Sequence, residues 1–297
     1  MIQPIQVMIV GAQKAGTTSL FQYIAQNPSI CTHPQREMVY FVNDEVYASG
    51  YETAYAKYFK PGNNNGSVLL AKHVMAMYSQ DALARIHKHN PNMYLIVVLR
   101  NPVDRAYSAY WYARRRGWEN IKTFEGALEA ESERMKEGWY TWRNCAYVHN
   151  GIYHRYLEWI LEKFGKNQVL ILTSDELTND AGKICRGIYE TLKLDSTFVS
   201  ETIVRHNTSC LPRSEFLAQT FSRLLANTHP LKRFARSLIP GSFTYKIRHK
   251  ILKLNEKGFT PPEMKRETRY RLAEYFKPYN DTLEKLLGRD FHYWNHI

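Results

Sequence analysis

The stretch VMIVGAQKAGTTSLFQYIAQNP (residues 7–28) joins an apolar run, a glycine loop and an amphipathic segment. The run before Gly11 has the length and composition of a buried strand, and residues 17–26 carry apolar side chains at helical spacing. Asn27 and Pro28 then end the helix. A loop between a buried strand and a helix N-terminus gathers backbone N–H groups, so this stretch predicts an anion-binding site.

The loop GAQKAGTT departs from a Walker A motif at the decisive position. Gly11 and Gly16 have the Walker separation, but Thr17 stands where the lysine should be, and the loop's only lysine is Lys14. In a Walker loop that lysine reaches the β- and γ-phosphates and the next hydroxyl holds Mg²⁺. No Walker B aspartate follows a predicted strand. Metal-dependent triphosphate chemistry is therefore disfavoured, and a metal-dependent small-molecule kinase with a divergent P-loop is kept as an alternative.

Strand-like runs alternate with helical patterns along the chain. The predicted strands are residues 5–12, 67–72, 93–99 and 168–172. Helical segments separate them, and a long C-terminal helix interrupted near Pro278 follows. This alternation predicts an α/β fold, a P-loop-like central parallel sheet flanked by helices. We expect one domain over residues 1–297 with an aromatic-rich helical insertion at about 103–150, and ligands at the carboxyl ends of the strands.

The segment RNPVDRAYSAY (100–110) supplies a second candidate anion site. Arg100 ends a predicted strand and therefore lies at the same sheet edge as the glycine loop. Asn101 is placed to cap a helix that has Pro102 at its first position, and Ser108 follows two turns later. An arginine fork with a nearby hydroxyl suits a phosphate monoester. A structural arginine that pairs with a helix is the other interpretation.

The formal charge of +12 calls for an anionic partner, whether nucleic acid, an anionic membrane or a small anion. Part of the surplus is concentrated at 216–255, a basic segment without any acidic residue. Its interleaved apolar residues suit peripheral membrane contact or an acidic glycan. A solvated basic face over ordinary core residues explains the same pattern.

Composition and the N-terminus bear on the compartment. The four cysteines form no CxxC pair and the histidines are not clustered, so a zinc site or a disulfide framework has little support. The opening MIQPIQ lacks a basic region followed by an apolar one, and the apolar run at 95–99 is too short to span a membrane. We therefore expect a cytoplasmic protein with reduced thiols.

Together the two motifs resemble the sulfotransferases that use 3′-phosphoadenylyl sulfate (PAPS). GAQKAGTTSL is similar to the family's 5′-phosphosulfate-binding loop, and RNPVDRAYSAY is similar to its 3′-phosphate motif. The closer likeness is to the heparan-sulfate branch and its bacterial relatives, and it extends in order over nearly the entire chain. It implies PAPS as cofactor and no metal. The cofactor-binding residues implied by these two motifs are Lys14, Ala15, Gly16, Thr17, Thr18, Ser19, Arg100 and Ser108.

Three further segments resemble functional motifs of the same branch. REMVYF (36–41) is similar to the motif whose glutamate is the catalytic base, which corresponds to Glu37. LLAKHVMAMY is similar to the segment with a second active-site lysine, here Lys72. NEKGFTPP is similar to the loop that closes over the cofactor, which implies Lys257 and Gly258 as cofactor contacts, with Phe259 in place of the family's arginine.

The resemblance implies in-line transfer of a sulfuryl group to a hydroxyl of a carbohydrate, glycolipid or secondary metabolite, without a nucleic-acid partner. Glu37 would be the general base, and Lys14 and Lys72 would stabilise charge. His33 and His73 are competing bases, because histidine needs less tuning to accept a proton near pH 7. A basic membrane- or RNA-binding protein without catalysis is the alternative from a different class.

Overall fold

The computed structural model describes residues 2–59, 67–198, 210–212 and 256–295. Within these residues a five-stranded parallel sheet has the order β2-β3-β1-β4-β5. The strands are β1 (Val7–Gly11), β2 (Ile30–Cys31), β3 (Val68–Lys72), β4 (Tyr94–Leu99) and β5 (Val169–Thr173). Helices connect the strands, and the predicted α/β fold with a parallel central sheet is confirmed.

The helices are α1 (Thr17–Ile24), α2 (Asp44–Ala48), α3 (Tyr51–Tyr58), α4 (Gln80–His89), α5 (Pro102–Arg116), α6 (Phe124–Glu129), α7 (Glu131–Lys136), α8 (Trp139–Cys145), α9 (Tyr153–Phe164), α10 (Ser174–Asn179), α11 (Ala181–Thr191) and α12 (Arg266–Leu287). Two short strands, β6 (Cys210–Pro212) and β7 (Glu256–Gly258), pair antiparallel apart from the main sheet. Among the described helices, none is both long and apolar enough to cross a membrane.

The chain groups into two compact units. The first comprises Met1–Arg105, Ile152–His206 and Tyr275–His296, and it holds the five-stranded sheet. The second is formed mainly by Ala106–Gly151 and Asn207–Glu274. A single domain over the whole chain stays a prediction.

The core of the first unit is built on the central strands. All five residues of β1 are buried, and so are the last five of β4. Strands of a parallel sheet that are covered on both faces are continuous apolar runs, which explains why these two were recognisable from the sequence. Because β1 and β4 are parallel neighbours, the loops that follow them lie at the same edge of the sheet.

Helix α12 runs through Pro278 without a break, so the predicted interruption there is wrong. A proline inside a helix costs about 3 kcal/mol through the lost hydrogen bond and the ring clash. Packing within the first unit offsets this cost, because Phe276 and Leu283 are buried on either side of the proline. Asn280 also donates a 2.8 Å hydrogen bond to the side chain of Asn295.

Most of the aromatic-rich stretch near 103–150 belongs to the second unit, where it is largely helical. The buried Glu119 carboxylate of this stretch accepts hydrogen bonds from Nη1 and Nη2 of Arg134 and from the Tyr147 hydroxyl, the last at 2.8 Å. Tyr110 and Tyr147 are buried, so these aromatic side chains pack inside the unit, whereas Trp139 is 43% exposed. The predicted basic segment 216–255 lies outside the described residues.

Candidate active site

The loop after β1 leads directly into α1. The Ala12 N–H bonds to the Val98 carbonyl of the neighbouring strand at 2.8 Å, and the Leu20 N–H closes the first helical turn on Gly16. Lys14 takes a left-handed conformation, with φ of 71°. Thr17 and Ser19 are buried, whereas Thr18 and Lys14 are partly exposed. Lys14 and Thr18 are therefore partly accessible to solvent, whereas Thr17 and Ser19 are buried against the rest of the first unit.

Gly16 is the residue before α1, and its backbone conformation favours glycine. Its φ is +96°, and a Cβ there would lie 3.2 Å from Cδ2 of Leu177. No side chain caps α1, and its first turn contains no acidic residue. The first N–H groups of a helix have no partner within the helix, so an uncapped N-terminus favours an anion from outside.

The end of β3 carries an ion pair. Nζ of Lys72 lies 2.5 Å from Oε1 of Glu37, and the Val74 N–H donates to Oε2 of the same carboxylate at 3.1 Å. The Lys72 side chain is 1% exposed and the Glu37 side chain 24%. Glu37 and Lys72, which the sequence predicted as separate motif residues, therefore form one group.

The two competing histidines have other roles in this structure. Nε2 of His33 accepts a 3.3 Å hydrogen bond from the Lys72 N–H, and burial lowers the pKa of His33 to about 4. Nδ1 of His73 accepts a 3.3 Å hydrogen bond from the Met75 N–H. Both rings are buried. Since these ring nitrogens already serve as acceptors, the geometry favours Glu37 over either histidine as a base.

Arg100 follows β4 and reaches the glycine loop. Its Nη1 donates to the Lys14 carbonyl at 3.2 Å, and its own carbonyl accepts the Tyr153 hydroxyl at 2.8 Å. Asn101 caps α5 through a 3.0 Å hydrogen bond from the Val103 N–H to its side chain, as the sequence suggested. A guanidinium has five N–H donors, so one bond to the loop leaves donor capacity for a ligand.

Four of the predicted segments meet at one sheet edge. β1 lies between β3 and β4, with Ile9 paired to Lys72 and Gly11 paired to Val97. The glycine loop, the Glu37–Lys72 pair and Arg100 therefore lie at the carboxyl ends of three adjacent parallel strands. Ligands bind at this edge in open α/β sheets.

The remaining predicted residues belong to the second unit. Ser108 lies within α5, beyond the point where that helix passes from the first unit to the second. Lys257 and Gly258 lie in β7, where they pair with Leu211 and Cys210. Their roles as cofactor contacts stay predictions.

Two tyrosines at the site were not among the sequence candidates. The Tyr153 hydroxyl binds the Arg100 carbonyl, and the Tyr78 hydroxyl is hydrogen-bonded to the backbone of Gln13. Neither was assigned a role from its motif, and each is distant in sequence from the backbone that it contacts. Within the described residues, no group of three or more His, Cys, Asp or Glu side chains is arranged to hold a metal ion.

Residues 4–257 match the family model described as the sulfotransferase domain. Because the match covers most of the chain, this chain belongs to the sulfotransferase domain family. The loop and the Arg100 segment that first suggested the family both lie inside the matched region.

Two human relatives illustrate the likeness. The chain is 27% identical over 291 residues to the bifunctional heparan sulfate N-deacetylase/N-sulfotransferase 1, covering 95% of this chain and 29% of the relative. It is also 27% identical over 292 residues to the heparan sulfate glucosamine 3-O-sulfotransferase 3B1, covering 96% of this chain and 64% of the relative. The chain thus spans less than two thirds of the length of these relatives.

A solved structure has the same fold. The crystal structure of a sulfotransferase from Alicyclobacillus acidocaldarius superposes with a TM-score of 0.70 at 21% identity. The likeness covers 99% of this chain and 100% of that one. The fold and the family are therefore consistent with each other.

Proposed function

We propose that this protein transfers the sulfuryl group of PAPS to a hydroxyl of an acceptor, with Glu37 as general base. The observation that carries the proposal is the meeting of the Lys14 loop, the Glu37–Lys72 pair and Arg100 at the ends of three adjacent strands. The loop suits the 5′-phosphosulfate of such a cofactor, and Arg100 suits its 3′-phosphate. Membership of the sulfotransferase domain family supports the same chemistry.

The residues present fit the anionic groups of PAPS. The uncapped N-terminus of α1, together with Lys14 and the Thr18 hydroxyl, offers donors for a phosphosulfate. The guanidinium of Arg100 offers a planar fork that suits a 3′-phosphate. Ala15, Gly16, Thr17 and Ser19 complete the loop, and Ser108, Lys257 and Gly258 are proposed as further cofactor contacts.

When bound, PAPS supplies the sulfuryl group, and the chain supplies positioning and charge. Glu37 would accept the proton of the acceptor hydroxyl as the new oxygen–sulfur bond forms and the bond from sulfur to the 5′-phosphate oxygen breaks, with adenosine 3′,5′-bisphosphate as the leaving group. Lys72 and the Val74 N–H each bind one oxygen of the Glu37 carboxylate and orient it for that transfer. Lys14 and the backbone N–H groups of the loop stabilise negative charge that develops on the transferred and leaving oxygens, and Lys72 assists them.

The acceptor belongs to a class of hydroxyl compounds. The names of the two human relatives refer to heparan sulfate and to glucosamine, which supports a carbohydrate acceptor. A glycolipid or a secondary metabolite presents the same kind of nucleophile and stays within the proposed class. We further propose that the protein acts in the cytoplasm, and that the basic segment 216–255 contacts an acidic acceptor or a membrane surface.

The test is transfer of radiolabel from sulfur-labelled PAPS to a panel of polysaccharide, glycolipid and phenolic acceptors. We expect a labelled sulfate ester with at least one acceptor, and at least about a hundredfold less of it with the Glu37→Gln variant. A panel run with γ-labelled ATP and Mg²⁺ tests the kinase alternative in parallel. Label transfer from ATP, with none from PAPS, would replace the proposed function by that of a kinase.

A further inference from the structure

Two hydrogen bonds connect helix α9 through Arg100 to Lys14 of the glycine loop. Tyr153, the first residue of α9, is 1% exposed, and its hydroxyl donates to the Arg100 carbonyl at 2.8 Å. The Arg100 guanidinium in turn donates to the Lys14 carbonyl at 3.2 Å. One buried hydroxyl is thereby connected to both proposed anion-binding elements.

A second buried hydroxyl meets the other side of the same loop. Tyr78 ends the short turn Ala76–Tyr78 and is 4% exposed, and its hydroxyl is hydrogen-bonded to the backbone of Gln13. Its ring packs edge-on against Tyr156 at 4.8 Å between centroids. The neighbouring Met77 side chain occupies the space where a Cβ on Gly11 would lie. The glycine loop is therefore packed against Met77 at Gly11 and hydrogen-bonded to Tyr78 at Gln13.

A buried arginine interacts with both tyrosines. Arg105 is fully buried in the first turns of α5. Burial raises the pKa of Tyr78 and of Tyr153, and the positive charge of Arg105 opposes this change at both hydroxyls. The charge of Arg105 therefore acts on both phenols, and all three side chains are buried residues of the first unit.

We propose that Tyr153 and Tyr78 are positioning residues that hold Arg100 and the glycine loop in the geometry that binds the cofactor. The inference rests on the proposed function, since it concerns the same site. Lys14 adopts a left-handed backbone, which is strained for a residue with a Cβ. Such a conformation persists where surrounding contacts fix it, and the bonds to Lys14 and to Gln13 are contacts of this kind.

The test uses tyrosine-to-phenylalanine variants, which delete a hydroxyl and keep the ring. Tyr189→Phe is the matched control, because this buried tyrosine donates to the carbonyls of Tyr23 and Ile24 at the opposite end of α1. Calorimetric titration measures the Kd of adenosine 3′,5′-bisphosphate and of adenosine 5′-monophosphate. Urea unfolding measures the stability of every variant.

We expect Tyr153→Phe and Tyr78→Phe each to raise the Kd of the bisphosphate by about three- to tenfold, the effect of one lost hydrogen bond. Tyr153→Phe should weaken the bisphosphate more than the monophosphate, because Tyr153 acts through Arg100, the proposed 3′-phosphate residue. Tyr78→Phe should weaken both ligands to the same extent. The Tyr189→Phe control should lose comparable stability and bind as the wild type does.

The outcomes separate this inference from the proposed function. A wild-type protein that does not bind the bisphosphate contradicts the proposed function, and with it the inference. A wild-type protein that binds, with Tyr153→Phe and Tyr78→Phe within twofold of it, contradicts the inference alone. If one of these two variants does not fold, the other decides the matter by the same comparison.

Discussion

Both oxygens of the Glu37 carboxylate are held, one by Nζ of Lys72 at 2.5 Å and the other by the Val74 N–H at 3.1 Å. The lysine is almost fully buried, whereas the carboxylate is partly exposed. The buried ammonium therefore fixes the orientation of a carboxylate that solvent and ligands can reach. This orientation suits the role of general base that we propose for Glu37.

Replacing Glu37 by glutamine tests the assignment of the base. The amide keeps the shape of the side chain but does not accept a proton, so kcat should fall by about 10²–10⁴-fold, the usual contribution of a general base. The Kd of adenosine 3′,5′-bisphosphate should change less than threefold. Glu52→Gln, at an exposed position on α3, is the control and should leave both quantities unchanged. Full turnover by Glu37→Gln would show that another group accepts the proton.

The coupling between Lys72 and Glu37 can be measured by a double-mutant cycle. Lys72→Met and Glu37→Gln, singly and together, are compared by urea unfolding. We expect an interaction energy of about 1–3 kcal/mol, because contacting charged groups with shared hydrogen bonds are not additive. Additive losses would mean that the two side chains do not stabilise each other in solution.

Protonation of His33 should lower the free energy of unfolding as the pH falls. Its folded pKa of about 4 lies below the ordinary value of 6.5, so the unfolded chain binds the proton first as the pH falls. Stability is then lost between about pH 6.5 and 4, by an amount on the order of 3 kcal/mol for a buried ring. In His33→Gln the unfolding free energy should fall less steeply over this window.

The same titration can be followed at the ring itself. The His33 resonance in an NMR titration of the wild type should stay that of a neutral imidazole down to about pH 5. A His33 ring that titrates near its ordinary pKa would show that burial does not hold it neutral, and His33 would again be a candidate base.

Gly16→Ala tests the conformation of the loop. An alanine at φ +96° pays a left-handed penalty of about 1–2 kcal/mol, and its Cβ would press on Leu177 at 3.2 Å. We expect lower stability and a bisphosphate Kd raised by about tenfold or more. Gly288→Ala is the control, since Gly288 has φ +63° and open space around its Cβ position. Both variants should lose stability, and only Gly16→Ala should lose affinity. Equal affinities in the two variants would contradict a role of the Gly16 turn in anion binding.

The central strands were predictable from the sequence because they are buried on both faces and therefore consist of continuous apolar residues. β1 and β4 are buried apolar runs, and each is followed by a polar residue pattern that marks a turn or a helix start. Periodicity detects such segments well. β2 has only two residues, too few for any pattern to register. The continuity of α12 through Pro278 depends on packing on either side, which a local helix-breaking rule does not contain.

The sequence motifs predicted which residues belong to the candidate site, but they did not predict the contacts between those residues. The sequence indicated the loop, Glu37, Lys72 and Arg100, but not the contact between Glu37 and Lys72 or the bond from Arg100 to Lys14. These contacts join residues far apart in the chain, where local spacing carries no information. The hydroxyls of Tyr78 and Tyr153 were missed for the same reason, since a buried tyrosine is usually part of the core.

Thermal unfolding with adenosine 3′,5′-bisphosphate and with ATP, each with and without Mg²⁺, tests most directly which anion the glycine loop binds. A ligand at a hundredfold excess over its Kd adds about 2.7 kcal/mol of stability. For a chain of this size, that raises Tm by roughly 5 °C. We predict this shift with the bisphosphate in the absence of Mg²⁺, and no comparable shift with ATP. A shift that requires ATP together with Mg²⁺ would contradict the account and identify the loop as a triphosphate site.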